Sequence, residues 1–194
     1  MDCYPLRGDP RIHRYILNRV MKIKNILLAA AACVASILPA EARIERKTST
    51  MLETIAPYVL IEFNTDDCEE YNILGAYMTV GDGAGVGRKM VLCPGEYMNS
   101  EDHATARHEM VHVLQHCVNV QRGTPRNTPI VKDIDKLAEM VNEHVSEDDV
   151  VFIKSNYPRE KWLIEFEAVL GENVFTASQL IELWNNFDCE SVFA

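Results

Sequence analysis

Several things are scarce or missing in this 194-residue chain, and each removes a class of function. Basic residues are few. Nineteen Lys and Arg stand against 29 Asp and Glu, for a formal charge of −10. With no basic block to track a phosphate backbone, nucleic-acid binding is not expected. No CxxC pair occurs, which excludes a cysteine zinc cluster. No DxDxDG stretch offers a calcium loop. The segment from Gly81 to Gly87 alternates its glycines but has neither a GxGxxG register nor a Gly-Lys-Ser/Thr triplet. It reads as a flexible hairpin connection, not a phosphate cradle. Repeats and low-complexity tracts are also absent. What remains is 47% hydrophobic and 25% charged, which rules out wholesale disorder and allows one domain with a real core.

The first forty residues point to export. Met21-Lys-Ile-Lys-Asn is a short basic stretch, Ile26 to Pro39 carries no charge over fourteen residues, and Ala40-Glu41-Ala42 has the small-x-small pattern of a cleavage site. These features predict a secretory signal peptide cut after Ala42, with Met21 as the start and 1–20 as an over-extended beginning. The apolar run falls short of the ~20 residues that span a bilayer, so no stable membrane insertion is expected after cleavage. The mature region, 43–194, holds thirteen basic and twenty-six acidic residues and is more acidic still, at −13. It keeps four cysteines, Cys68, Cys93, Cys117 and Cys189. An even count in a secreted or periplasmic protein predicts two disulfides, with three possible pairings.

Residues 43–50 read as a polar leader, and 51–63 as helix then strand around Pro57. Asp66 and Glu69 have capping-box spacing for a short helix over 66–73. The runs 76–80 and 89–93 read as strands. Asn99 to Asp102 opens a helix with acids in its first turn, where the helix dipole favours them, and that helix is expected to run to about Val118. Gln121 to Pro129 reads as loop. Further helices are predicted over 132–145, from Pro158 to Leu170 with Gly171 as the stop, and from a Thr176/Gln179 capping box to about Phe187. Glu147-Asp148-Asp149 reads as a solvated turn or cap. The predicted fold class is α+β, mostly helical, with a short sheet in the first half.

The first long helix contains His108-Glu109-Met110-Val111-His112. Histidines at i and i+4 stand one above the other, about 6 Å apart along the axis, so both rings can reach one ion. Glu109 is rotated ~100° from His108 and is free to take a proton from a water held by that ion. Composition alone gives roughly 0.02 expected occurrences of such a pattern in a chain like this, so chance is a poor explanation. Ala104, Met110, Val111, Leu114 and Val118 fall on one side of the helical wheel. His108, Glu109, His112 and His116 fall on the other.

Thr105 to Leu114 resembles the active-site helix of the zincin metallopeptidases, with the HExxH core matched in full. The resemblance covers about a third of the mature chain. It implies a zinc ion, hydrolysis of peptide or protein substrates, and a short sheet packed on the helix, whose edge strand lies along the substrate. The runs 76–80 and 89–93 are placed to supply that edge. In this reading His108 and His112 are metal ligands and Glu109 is the general base. The alternative is a catalytically inactive zincin-like exported binding or structural protein.

A third ligand is needed. The metzincin pattern requires glycine at 115 and histidine at 118, where this chain has Gln115 and Val118. His116 lies one turn too far along the helix and reads as a supporting or solvent-facing residue. In the later helix Glu165 and Glu167 both interrupt an apolar stretch, at a cost unless something compensates their charge. The helical wheel does not choose between them. The gluzincin resemblance favours Glu167, because a small residue, Ala168, follows it. Where that family often places an aspartate to hold a histidine, this chain has Glu172. Tyr157 and His144 are candidates by position for a donor to the reacting carbonyl. Trp162, Phe166, Val169 and Trp184 read as core.

Overall fold

A computed structural model of the chain describes residues 41–71, 73–80, 87–96, 98–125 and 128–194. The signal peptide expected over 21–42 falls almost entirely outside them, as do 81–86 of the glycine-rich connection. The element order is α1 (Glu41–Ile55), β1 (Leu60–Phe63), α2 (Asp66–Tyr71), β2 (Gly75–Val80), β3 (Gly87–Leu92), α3 (Ser100–Arg122), α4 (Ile134–His144), α5 (Glu147–Asn156), a 3-10 turn (Arg159–Lys161), α6 (Trp162–Val174), α7 (Ala177–Asn186) and α8 (Cys189–Phe193). The fold is α+β and mostly helical, with a three-stranded sheet, as the pattern of the sequence predicts.

The sheet order is β1-β3-β2. β3 pairs parallel with β1 (Ile61 opposite Met90) and antiparallel with β2 (Tyr77 opposite Met90). β3 is therefore central, and of the two runs expected to offer an edge only β2 does so. The β3 side chains Met90, Val91 and Leu92 are buried, as a central strand requires.

α3 is the hub. Asn99 caps it: its side chain accepts from the Glu101 and Asp102 amides at 2.7 and 3.1 Å, while Asp102 accepts from the Asn99 amide at 2.7 Å. Gly123, in the left-handed region at φ 60°, ends it, four residues beyond the expected stop. Around it lie α1, β2, β3, α6, α7 and α8. The two sides of its helical wheel do not divide into a buried and an open face. Met110, Val113 and Leu114 are buried, but so are Glu109, Gln115, His116 and Asn119. A helix enclosed on this many sides must satisfy its polar groups internally.

Three further expectations give way. Residues 43–50 belong to α1, not to a loose leader, because Thr48, Met51, Leu52 and Ile55 recur at helical spacing and are buried. The acids 147–149 form the first turn of α5, capped by Ser146 accepting from the Asp149 amide. Gly171 does not stop α6 but lies inside it, where a Cβ would stand 2.6 Å from Val111 Cγ2. α6 passes so close to α3 there that only glycine fits.

The four cysteines pair as Cys68–Cys93 and Cys117–Cys189. The first ties α2 to the segment after β3, and the second ties α3 to α8. Among the described residues no helix is long and apolar enough to cross a membrane.

Candidate metal centre

α3 and α6 pack antiparallel, which places His108 and Arg107 near Glu172 and Gln115 near Ile164. Between them His108 Nε2 and His112 Nε2 lie 3.2 Å apart. Glu165 Oε2 stands 3.5 Å from the first and 3.4 Å from the second. Glu165 is buried, and both imidazoles are mostly buried. Among the described residues this is the one group of three such side chains whose ligand atoms converge.

The other ring nitrogen of each histidine is already spoken for. Gln115 Nε2 donates to Glu167 Oε2 and to the Ile164 carbonyl, both at 3.0 Å. Its Oε1 must therefore be the atom facing His112 Nδ1 at 2.8 Å, and that nitrogen must carry the proton. Glu172 Oε2 lies 3.2 Å from His108 Nδ1 and acts in the same way. Both tautomers then direct an Nε2 lone pair at Glu165. Three lone pairs in a triangle repel unless a cation sits among them. Without a metal that cation is a proton. Burial opposes charge on His108, but hydrogen bonds to Glu165 and Glu172 and the nearby Glu109 outweigh it and raise its pKa to about 10. Burial likewise works against Glu165, yet the two imidazoles hold its carboxyl down at about 2.

Glu109 is 5% exposed, and its Oε2 has no hydrogen-bond partner among the described residues. The Tyr77 amide of β2 donates to this carboxylate. Burial pushes the Glu109 pKa up, and the charges of His108 and His112 pull against that.

Glu167, the third ligand expected from the gluzincin resemblance, is not in the triangle. Its Oε1 accepts from the Val131 amide and its Oε2 from the Ile130 amide, both at 2.7 Å, and Oε2 also takes Gln115. It compensates its buried charge by clamping the segment before α4. Glu165 stands in its place. Glu165 and Glu172, seven residues apart, share the helix face that meets the histidines, whereas Glu167 does not. Gln115 was missed as a supporting group, although i+3 from His112 puts it on the same face.

His116 is buried, not solvent-facing. Its Nδ1 lies 2.6 Å from the Tyr77 hydroxyl, and its ring packs on Phe193. His144 is exposed at the end of α4, 3.7 Å from Glu143, and is not brought to the cluster. Tyr157 does feel it: burial first, then the charges of Glu165 and Glu109, push its hydroxyl up to about 12. The hydroxyl therefore stays protonated and able to donate. Of the residues read as core, Trp184 is fully buried, Phe166 and Val169 pack against the cluster of Leu137, Val141 and Leu170, and Trp162 donates its indole N–H to the Tyr157 carbonyl at 2.9 Å.

No protein-family model matches the chain, and no significant similarity to a curated protein or to a solved structure is found.

Proposed function

We propose that the protein is an exported zinc-dependent peptidase in which His108, His112 and Glu165 hold the metal and Glu109 is the general base. One observation carries the reading. Donors at the ~2.0–2.1 Å of zinc–nitrogen and zinc–oxygen bonds stand ~3.3 Å from one another in a tetrahedron. The three atoms here are separated by 3.2, 3.4 and 3.5 Å. Three protein ligands, two nitrogen and one carboxylate, suit a zinc site that keeps a fourth position for chemistry.

A zinc ion in that set supplies Lewis acidity, which lowers the pKa of water toward neutrality and polarises a carbonyl. The chain's own groups do the rest. Glu109 Oε2, buried and without a partner, accepts the proton of the attacking water and passes it to the leaving amine. The Tyr77 amide fixes the carboxylate through its other oxygen, so the base needs little reorganisation. Gln115 and Glu172 hold the two rings. The protonated Tyr157 hydroxyl is available to the developing oxyanion. Edge strand β2 runs beside the cluster and suits an extended peptide laid along it. Two disulfides fit a protein that folds in an oxidising compartment outside the cytosol.

Elemental analysis of the purified protein should find one zinc per chain, removable by a chelator. Glu109→Gln should keep that zinc and lose hydrolysis of an unfolded protein by 10²-fold or more. Protein that holds no zinc overturns the centre. Protein that holds zinc but cleaves nothing in a broad peptide library overturns the peptidase reading and leaves a metal-holding module.

A further inference from the structure

Alongside the cluster, on the His112 side, is a cavity of about 250 Å³. That is less than the ~300–1,000 Å³ typical of pockets for drug-sized ligands and fits a single side chain or chain end. Its walls are unusually polar, and among the described residues Ile164 is the only aliphatic one in them. Most of the polar groups are committed. Gln115 spends its amide on His112, Glu167 and Ile164, Glu165 faces the two imidazoles, and the Tyr77 hydroxyl faces His116. Lys161, at the start of α6, differs. It lines the cavity, it is exposed, and among the described residues no carboxylate pairs with it. The region 43–194 carries −13, so an uncompensated cation at the mouth of its candidate site runs against the trend of the surface.

We propose that this cavity binds a carboxylate of the substrate beside the scissile bond, with Lys161 as its counter-charge. The inference rests on the peptidase reading and names the substrate class for it: peptides presenting an acidic side chain, or a chain terminus, next to the bond cleaved. A charge-assisted ammonium–carboxylate contact is stronger than a neutral one and discriminates an acid from its amide isostere.

Peptide hydroxamates test this by calorimetry on the zinc-loaded protein, since the hydroxamate anchors each ligand at the metal. One pair carries Asp or Asn beside the hydroxamate with the terminus amidated. A second pair carries a neutral side chain with a free or amidated terminus. The acid of at least one pair should bind about tenfold tighter than its isostere, and the pair that does so identifies the source of the carboxylate. Lys161→Met should erase the advantage, and Lys161→Glu should invert it toward a Lys-bearing ligand. Because Lys161 is exposed, both variants should keep wild-type circular dichroism and zinc content. Tight hydroxamate binding with less than twofold separation in both pairs overturns the carboxylate site and leaves the metal centre standing. So does an advantage that survives Lys161→Met. If no hydroxamate binds the zinc-loaded protein, the open position at the metal and with it the peptidase reading fail, and this inference fails with them.

Discussion

Gln115 and Glu167 show how much the candidate site depends on residues outside its triangle of ligand atoms. Gln115 holds His112 in the tautomer that offers Nε2, and Glu167 holds Gln115 while clamping the Ile130 and Val131 amides. Replacing Gln115 with Leu removes the hydrogen-bond partner of His112 Nδ1. Zinc affinity should fall 10- to 100-fold, measured by competition with a chromogenic chelator, while the fold persists. The two glutamates should separate cleanly. Glu165→Ala should abolish tight zinc binding, because two imidazoles alone remain. Glu167→Ala should keep one zinc per chain but lower stability by about 1–3 kcal/mol in urea titrations, since two part-buried amides lose their acceptor. The reverse outcome would restore Glu167 as the ligand. Which carboxylate did which job was not legible from composition or from the wheel. Both are buried, and only their partners distinguish them.

Helix by helix, the close approach of α6 to α3 sets the geometry of the triangle. Gly171 permits it: an added Cβ would lie 2.6 Å from Val111 Cγ2, and valine has little rotamer freedom in a helix. Gly171→Ala gains about 1 kcal/mol of helix propensity but must push the helices apart, an overpacking cost of about 1–3 kcal/mol. The expected outcome is a lower melting temperature together with weaker zinc binding, because Glu165 recedes from His108 and His112. Adding Val111→Ala should recover the zinc affinity, read in the same chelator competition. Affinity unchanged in the single variant would show that the interhelical distance does not govern the site. Local signals served well where a cap decides the matter: Asn99 with Asp102 and Thr176 with Gln179. The short helix at Asp66 also forms, but over Asp66–Tyr71 with Asp66 as its first residue and not its cap. Local signals failed at Gly171, where a glycine needed for close packing looks in sequence like a stop.

Across the whole molecule the two disulfides constrain different lengths of chain. Cys117–Cys189 closes a separation of 72 residues and Cys68–Cys93 one of 25. Chain-entropy reasoning gives the longer loop about 4.4 kcal/mol and the shorter about 3.5 kcal/mol. The Cys117→Ala/Cys189→Ala variant should therefore unfold at lower urea than the Cys68→Ala/Cys93→Ala variant, by about 1 kcal/mol. It should also free α8, whose Phe193 packs against His116, Trp184 and the Arg88 guanidinium. Equal stabilities would mean that local packing, not loop length, sets the contribution of each bridge.

The sequence by itself determined what depends on near neighbours along the chain. Two histidines four apart must share a helix face, an acid between them must stand beside both, and an even set of cysteines is able to pair. The tertiary structure alone decided which glutamate meets those histidines, which cysteine meets which, and which strand is left at the edge. Those outcomes follow from how separate helices and strands dock. A shift of two residues along α6 turns a side chain by more than half a revolution, and no local pattern encodes that angle.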